Sequence, residues 1–440
     1  MEALCENTQV VVLMGGLGTR LGACTRDCPK PLMEVEGKPF FSYQLEIMRQ
    51  AGFRRFLFCL GYRAEQIEEY YGDGSRFGVE IRYSRDGEKL LGTGGAIRKA
   101  LPLLEETFLL IYGDSFMDVH YPEVLVRFRE GLAAGKPALM TVMRNQGRFD
   151  RSNVLCRDGE ILRYDKRNPS PEMDFIDYGI GAFSRSLFEE EPREAFDLSD
   201  LQQRLSREGK LACCETERRF YEIGTPGSLA EFRAYAARRW GQPRPAVFLD
   251  RDGVINEIVW NDDIDQLDSP LKWDQFRLMP EAPEALKLLQ EKGYLLFVVT
   301  NQPAAAKGKT RYTTLCEINR RLVEEMRKAG VEITDVEMCP HYGKASARTR
   351  ETWLIRDCSC RKPKPGLIER LTEKYRIDRE RSWMVGDSAT DVLCGQAAGV
   401  HTAFLGRYKC DLCMMCGCRK PERIAGNLME FAKEVPNAAE

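Results

Sequence analysis

Short apolar runs recur along this chain and alternate with stretches in which apolar residues return every three or four positions. VVVL (10–13), RFLFCL (55–60), FLLIYGD (108–114) and LMTVM (139–143) read as buried strands. YQLEIMRQAG (43–52) and YPEVLVRFREGLAAG (121–135) read as amphipathic helices that close at Gly52 and Gly135. This alternation predicts a parallel α/β sheet. A further helix, GSLAEFRAYAARRW, ends near Trp240, and GQPRP (241–245) is a Gly/Pro-rich break. A second alternation follows: AVFLD, a helix around 281–291, YLLFVVT, a helix around 313–329, and SWMVGD. The pattern predicts two domains, 1–240 and 246–440, joined by a linker at 241–245.

Composition narrows the class. The 440 residues are too many for one ordinary domain, and 43% hydrophobic with 30% charged residues can fill real cores. A formal net charge of −2 speaks against a general nucleic-acid binder. No stretch approaches the roughly 20 apolar residues of a membrane span. MEALCENTQVVVL lacks the basic region of a signal peptide. A cytoplasmic enzyme with no nucleic-acid or membrane partner is expected. The 16 cysteines, in a long chain with no secretion signal, point to free thiols or metal ligands rather than disulfides. Cys59, inside FLFCL, reads as a small buried hydrophobe.

In the second half, VFLDRDGVIN (247–256) puts Asp250 and Asp252 just past a predicted strand, where open α/β sheets bind ligands. One carboxylate there can attack phosphorus, and the other can protonate the leaving oxygen and later activate water. Thr300, Asn301 and Gln302 follow YLLFVVT at another strand end, and Thr300 can hydrogen-bond a phosphoryl oxygen. Lys362 in CRKPKPG can neutralise phosphate charge. MVGDSATD brings Asp387 and Asp391 after a further strand, suited to Mg²⁺ together with Asp250. Four such motifs in this order resemble the haloacid-dehalogenase phosphohydrolase superfamily over about 246–435.

Between these motifs, Cys339 and His341 (CPH) and Cys358 and Cys360 (CSC) supply the ligands of a closed tetrahedral zinc site. Arg361 and Lys362 follow the second pair directly, so such a clip would also position phosphate ligands. The layout resembles the D,D-heptose 1,7-bisphosphate phosphatases, with histidinol-phosphate phosphatases as relatives. The resemblance implies a Mg²⁺ site that draws on Asp250, Asp252 and Asp387, and substrate contacts from Asn301 and Arg361. That family often has lysine where this chain has Ser388. CDLCMMCGC (410–418) is a second cysteine cluster and matches no zinc ribbon cleanly.

In the first half, VVVLMGGLGTRLGACTRDCPKPL (10–32) runs from a strand into a glycine-rich loop that is neither a Walker loop nor a clean dinucleotide fingerprint. Gly15, Gly16 and Gly18 let backbone amides approach a phosphate chain, with Thr19 in the same loop, and Arg20 and Lys30 add two cations. LLGTGGAI (90–97), with Gly92, Thr93, Gly94 and Gly95, is a second small-residue loop able to lie under a nucleobase. Asp114 in YGDSF can hold Mg²⁺, with Glu222 in FYEIGTP as a second ligand. Lys166 in YDKRNP and Tyr178 and Gly179 in IDYGIGAF are expected near a sugar. Together these resemble the sugar-1-phosphate nucleotidyltransferases across about 1–238, most closely the D-glycero-α-D-manno-heptose 1-phosphate guanylyltransferases. The family usually has Asp where this chain has Glu222, so the longer side chain must shift its backbone or bind through water. Magnesium tolerates distances of only about 2.0–2.1 Å.

The resemblances imply an α/β chain of two Rossmann-like domains. The first carries a mixed or parallel nucleotidyltransferase sheet, the second a parallel haloacid-dehalogenase-type sheet with a zinc loop. They also imply Mg²⁺ and Zn²⁺ as cofactors, and heptose phosphates and a nucleoside triphosphate, GTP by resemblance, as substrates. The family roles fit end to end: a 7-phosphatase makes heptose 1-phosphate, which a guanylyltransferase then activates to GDP-heptose. Three alternatives stay open on the sequence: another sugar and nucleotide, one half acting as a non-catalytic binding module, or a histidinol-phosphate or polynucleotide phosphatase in the second half.

Overall fold

The computed structural model describes residues 2–16, 28–87, 91–145, 151–157, 159–261, 265–406 and 420–438. It divides into two compact units, Met1–Ala237 and Arg238–Glu440. The GQPRP segment falls just after this division. Arg244 already exchanges backbone hydrogen bonds with Arg376 and Asp378 of the second unit.

The main sheet of the first unit is built from β1 (Gln9–Met14), β2 (Arg55–Leu60), β3 (Glu80–Arg85), β4 (Thr107–Tyr112), β5 (Ala138–Arg144), β6 (Val154–Arg157), β7 (Glu160–Tyr164), β8 (Phe175–Ser184) and β9 (Leu211–Glu215). They form one sheet in the order β3-β2-β1-β4-β8-β5-β9-β7-β6. The β3-β2-β1-β4 side is parallel, as the apolar runs predict. β8 runs antiparallel to both β4 and β5, so the sheet is mixed. β1 is buried along its whole length, as expected for a strand covered on both faces. The expected helices form at Phe40–Gln50 and Tyr121–Ala133, and Gly52 and Gly135 follow them in the left-handed conformation that favours glycine.

The second unit holds β10 (Ala246–Leu249), β11 (Leu295–Asn301), β12 (Ile333–Cys339), β13 (Trp383–Gly386), β14 (His401–Leu405) and β15 (Arg423–Ala425). Their order is β12-β11-β10-β13-β14-β15, with every pairing parallel. Side chains alternate between two cores. Val247, Leu249, Leu296 and Val298 enter one, and Ala246, Phe248, Phe297 and Val299 the other. With helices on both faces, all strands deliver their carboxyl ends to one edge, and the polar motifs sit there.

Candidate active sites

In the second unit, Asp250 follows the last residue of β10, and its backbone N–H is held by the Val385 carbonyl of β13 at 2.9 Å. Lys362 is buried, and its Nζ lies 2.8 Å from Asp250 Oδ1, 2.6 Å from Asp391 Oδ1 and 2.9 Å from the Val299 carbonyl. Asn301, at the end of β11, braces the backbone of this lysine from both sides. Its Oδ1 accepts from the Lys362 N–H at 3.0 Å, and its Nδ2 donates to the Lys362 carbonyl at 3.1 Å. Thr300 is buried beside it and accepts from Gln302 Nε2 at 3.0 Å. Arg361 reaches the His341 carbonyl and lies 5.7 Å from the Tyr342 ring centre.

The two aspartates of DRD meet different environments. Burial pushes the Asp250 carboxyl up, the Lys362 ammonium pulls it back, and the Asp391 charge pushes it up again, to about 7. Asp252 is also buried, which raises it. The Arg251 guanidinium and hydrogen bonds from Asn256 and Gln302 outweigh burial and hold it below the usual carboxylate range. Lys362 keeps its proton: burial opposes the charge, but the Asp250 and Asp391 carboxylates more than offset it.

Carboxylate oxygens of Asp250, Asp387 and Asp391 come within 4.8 Å of one another, which fits a divalent cation. Within this trio Asp391 is committed elsewhere, to Lys362 and to Ser388, whose N–H and hydroxyl donate to its Oδ2 at 3.1 and 2.6 Å. That reciprocal cap starts the helix Ala389–Ala398. Ser388 thus serves as a helix cap. The Asp252 carboxylate, expected among the metal ligands, lies outside this trio and faces Arg251, Asn256 and Gln302.

Cys339, at the end of β12, meets His341, Cys358 and Cys360 in one cluster. The contacts are 3.7 Å from Cys339 Sγ to His341 Nδ1, 3.7 Å to Cys358 Sγ and 3.2 Å to Cys360 Sγ, with 3.2 Å from His341 Nδ1 to Cys360 Sγ. These spacings are far beyond the ~2.05 Å of a disulfide. They approach the edges of a tetrahedron whose centre is about 2.0–2.3 Å from each ligand. The four atoms therefore fit a zinc ion and leave no open position. The 410–418 cysteines lie outside the described residues.

In the first unit, Lys30 is buried and its Nζ lies 2.7 Å from Asp114 Oδ2. Asp114 precedes Ser115–Phe116, which pairs with Tyr221–Glu222, so Glu222 lies opposite Ser115. The Ile223 N–H also donates to the Asp114 carbonyl at 2.9 Å. The chain thus brings both expected carboxylates to one two-stranded ribbon beyond β4. Gly15 and Gly16 sit past β1. A Cβ on Gly15 would come no nearer than 3.6 Å to anything described, and one on Gly16 would meet nothing within 4 Å. Gly18, Thr19 and Arg20 lie outside the described residues.

The 90–97 segment departs from expectation. Among its described residues, Gly92–Lys99 is a helix rather than a loop, and Gly92 starts it at φ +75°. The N–H groups of Gly94 and Gly95 donate to the Phe196 carbonyl at 2.9 and 3.1 Å, and Thr93 Oγ1 accepts from the Leu198 N–H at 2.8 Å. A Cβ on Gly94 would lie 2.1 Å from the Phe196 ring, and one on Gly95 2.4 Å from the Glu194 carbonyl. The chain itself fills the space these glycines leave.

Lys166 is exposed, and its charge acts on Asp177. Tyr178 is buried, edge-on to Phe220, and its phenol has no hydrogen-bond partner among the described residues. Gly179 adopts φ +95°, and its N–H donates to Asp177 Oδ1 at 3.0 Å. Asp177, raised by burial and 3.4 Å from the Tyr164 hydroxyl, is a carboxylate that sequence reading passed over. Arg251, Asn256 and Gln302 were likewise given no role. Their only signal was adjacency to the aspartates and to the end of β11.

Comparisons with known proteins agree with this division. A nucleotidyl transferase family model matches residues 9–149, and a HAD-hydrolase-like model matches residues 359–428. The D-glycero-beta-D-manno-heptose-1,7-bisphosphate 7-phosphatase of Rhodopseudomonas palustris is 37% identical over 157 residues, 36% of this chain and 81% of the relative. The D-glycero-alpha-D-manno-heptose-1,7-bisphosphate 7-phosphatase of Photorhabdus laumondii is 35% identical over 161 residues, 36% of this chain and 80% of the relative. The D-glycero-alpha-D-manno-heptose 1-phosphate guanylyltransferase of Campylobacter jejuni is 26% identical over 227 residues, 51% of this chain and 98% of the relative.

Proposed function

The chain belongs, through its C-terminal unit, to the family of the D-glycero-D-manno-heptose 1,7-bisphosphate 7-phosphatases, and from that premise we propose that it is a bifunctional enzyme making GDP-D-glycero-α-D-manno-heptose. The C-terminal unit removes the 7-phosphate of the heptose bisphosphate. The N-terminal unit transfers GMP from GTP to the resulting heptose 1-phosphate and releases pyrophosphate. The α anomer is favoured because the guanylyltransferase relative is named for it.

The observation that carries this reading is the meeting of Asp250, Lys362 and Asp391 from three separate segments, with Asp252 held apart by its own donors. Asp250 Oδ attacks the 7-phosphoryl phosphorus, and the bond to the sugar oxygen breaks. Asp252 gives that oxygen its proton. Water then loses a proton to Asp252, attacks the aspartyl-phosphate, and phosphate leaves with Asp250 restored. Lys362 and Thr300 hold the phosphoryl oxygens, Asn301 keeps Lys362 in position, and Arg361 contacts the substrate beside it.

In the N-terminal unit the sugar phosphate oxygen displaces pyrophosphate in line, with no covalent enzyme intermediate. Gly15 and Gly16 support this reading because no described neighbour requires glycine there; the room suits a phosphate chain, which Gly18 and Thr19 would also line. Lys30 and Arg20 neutralise phosphate charge. Lys166, Tyr178 and Gly179 flank the sugar, while Gly92, Thr93, Gly94 and Gly95 shape the base pocket from beneath. Magnesium, held by Asp250 and Asp387 in one unit and by Asp114 and Glu222 in the other, would supply further charge neutralisation. Zinc on Cys339, His341, Cys358 and Cys360 would be structural.

The test is a substrate panel. The purified chain receives heptose 1,7-bisphosphate with GTP, ATP, CTP or UTP in turn, and phosphate and pyrophosphate are assayed separately. Phosphate with every nucleotide and pyrophosphate with GTP are expected. Pyrophosphate with another nucleotide alone would reassign the base, and phosphate released from C1 would reassign the phosphatase.

A further inference from the structure

An acid–base carboxylate must keep one oxygen turned to the reacting atoms, yet a short aspartate side chain rotates easily. In this chain the Asp252 carboxylate is clamped. Arg251 approaches Oδ1 with Nε at 3.3 Å and Nη2 at 3.1 Å, and Oδ2 with Nη2 at 3.3 Å. Asn256 Nδ2 donates to Oδ1 at 2.9 Å, and Gln302 Nε2 donates to Oδ2.

Arg251 has no exposed surface, and its guanidinium is taken up by Asp252 and Asn319. A guanidinium is planar, and two anchoring points fix its plane. One edge faces Asp252. The other nitrogen, Nη1, donates to Asn319 Oδ1 at 2.8 Å, a bond buried on both sides. Asn319 sits on the helix Tyr312–Lys328 and is itself oriented by a 3.6 Å contact from its Nδ2 to Met338 Sδ on β12. A buried guanidinium is costly unless its donors are satisfied, so its compensating partners also dictate where it points.

We infer that Asn319 and Arg251 are positioning residues that aim Asp252 at the leaving oxygen. Asn319 touches no substrate and acts through Arg251. The inference rests on the phosphatase reading and specifies which step the pair serves. A sugar alkoxide is a poor leaving group and departs only as it takes the Asp252 proton. A 4-nitrophenolate departs without one. Misaiming Asp252 therefore harms phosphoryl transfer from an alkyl phosphate far more than from an aryl phosphate, whereas loosened packing would lower both alike.

The experiment compares kcat/KM, which reports only the steps through phosphoryl transfer to Asp250 and not the later hydrolysis common to both substrates, on heptose 1,7-bisphosphate and on 4-nitrophenyl phosphate for the full chain, Asn319→Leu and Asn319→Asp. Asn319→Leu removes the acceptor at similar volume. It should lower the sugar phosphate rate ~10–100-fold and the aryl phosphate rate less than ~3-fold. Asn319→Asp keeps an acceptor for Nη1 and should hold the ratio of the two rates within ~3-fold of the parent. If Asn319→Leu does not fold, Asn319→Ala, which leaves room for water beside Nη1, should show the same graded defect. Equal losses on both substrates in a folded variant, or no loss, would overturn the inference. A parent chain that hydrolyses neither substrate would sink the phosphatase reading along with it, and a parent active on both separates the two failures.

Discussion

Asp250 and Asp252 are separated by one residue and held in opposite electrostatic states, one pushed up to about 7 by burial and the other held low by Arg251. Asp250→Asn is expected to lower phosphate release at least about a thousandfold while pyrophosphate release from supplied heptose 1-phosphate continues. Asp114→Ala should do the reverse, because it removes the partner of Lys30 and a carboxylate of the Glu222 ribbon. Separate phosphate and pyrophosphate assays check both, and loss of both activities in either folded variant would contradict the assignment. The aspartates and the four zinc-type ligands were legible because each follows an apolar run or forms a close pair in the sequence, and Lys362 because it comes straight after the second pair. Asn256, Gln302 and Asn319 were not, because a neutral amide acquires its meaning only from the partner that folding brings to it.

At the scale of elements, the zinc clip and the glycine helix carry opposite lessons. Two short Cys/His pairs predicted one metal cage, and four inward ligand atoms meet at the end of β12. Cys358→Ser should lower bound zinc from about one ion per chain to near zero, displace Arg361 and Lys362, and reduce phosphate release while nucleotidyl transfer persists. Elemental analysis beside the two assays decides it; unchanged zinc would move the site elsewhere. GTGG, by contrast, read as a loop and is a helix start packed against 194–198. Glycine signals close approach but does not say by what, so the sequence alone did not show that 194–198 packs there. The partner segment is fixed by Glu191, whose carboxylate is 1% exposed and pairs with Arg193 at 2.8 Å and Arg204 at 3.2 Å. The hydrogen bond from Arg193 leads the causes that hold Glu191 below the usual glutamate range. A depressed carboxyl stabilises the fold above its unfolded pKa of about 4.3, and that contribution disappears as pH falls through the lower folded value. Glu191→Gln should therefore cost about 1–2 kcal/mol at pH 7, reduced by the exposure of both arginines, and progressively less below pH ~4. Denaturant titrations at the two pH values test the difference.

For the whole molecule, the two alternations of apolar runs predicted two α/β sheets, and both exist. The resemblance allowed a mixed first sheet, but which strand reverses was not legible, since an apolar run carries no direction. The reversal of β8 becomes visible only when Gly181 pairs with Leu110 and Met140 on either side. One chain with both chemistries need not pass its intermediate internally. Asp250→Asn mixed with Asp114→Ala should make nucleotide sugar although neither does so alone from the bisphosphate. Failure of the mixture, with each single activity intact, would show that the intermediate does not diffuse between chains. The most direct measurement is a mass-spectrometric time course of the parent chain with heptose 1,7-bisphosphate, GTP and Mg²⁺. The account predicts that heptose 1-phosphate appears first and GDP-heptose follows at its expense. Nucleotide sugar that keeps the 7-phosphate, or a monophosphate that is never activated by any nucleotide, would contradict it.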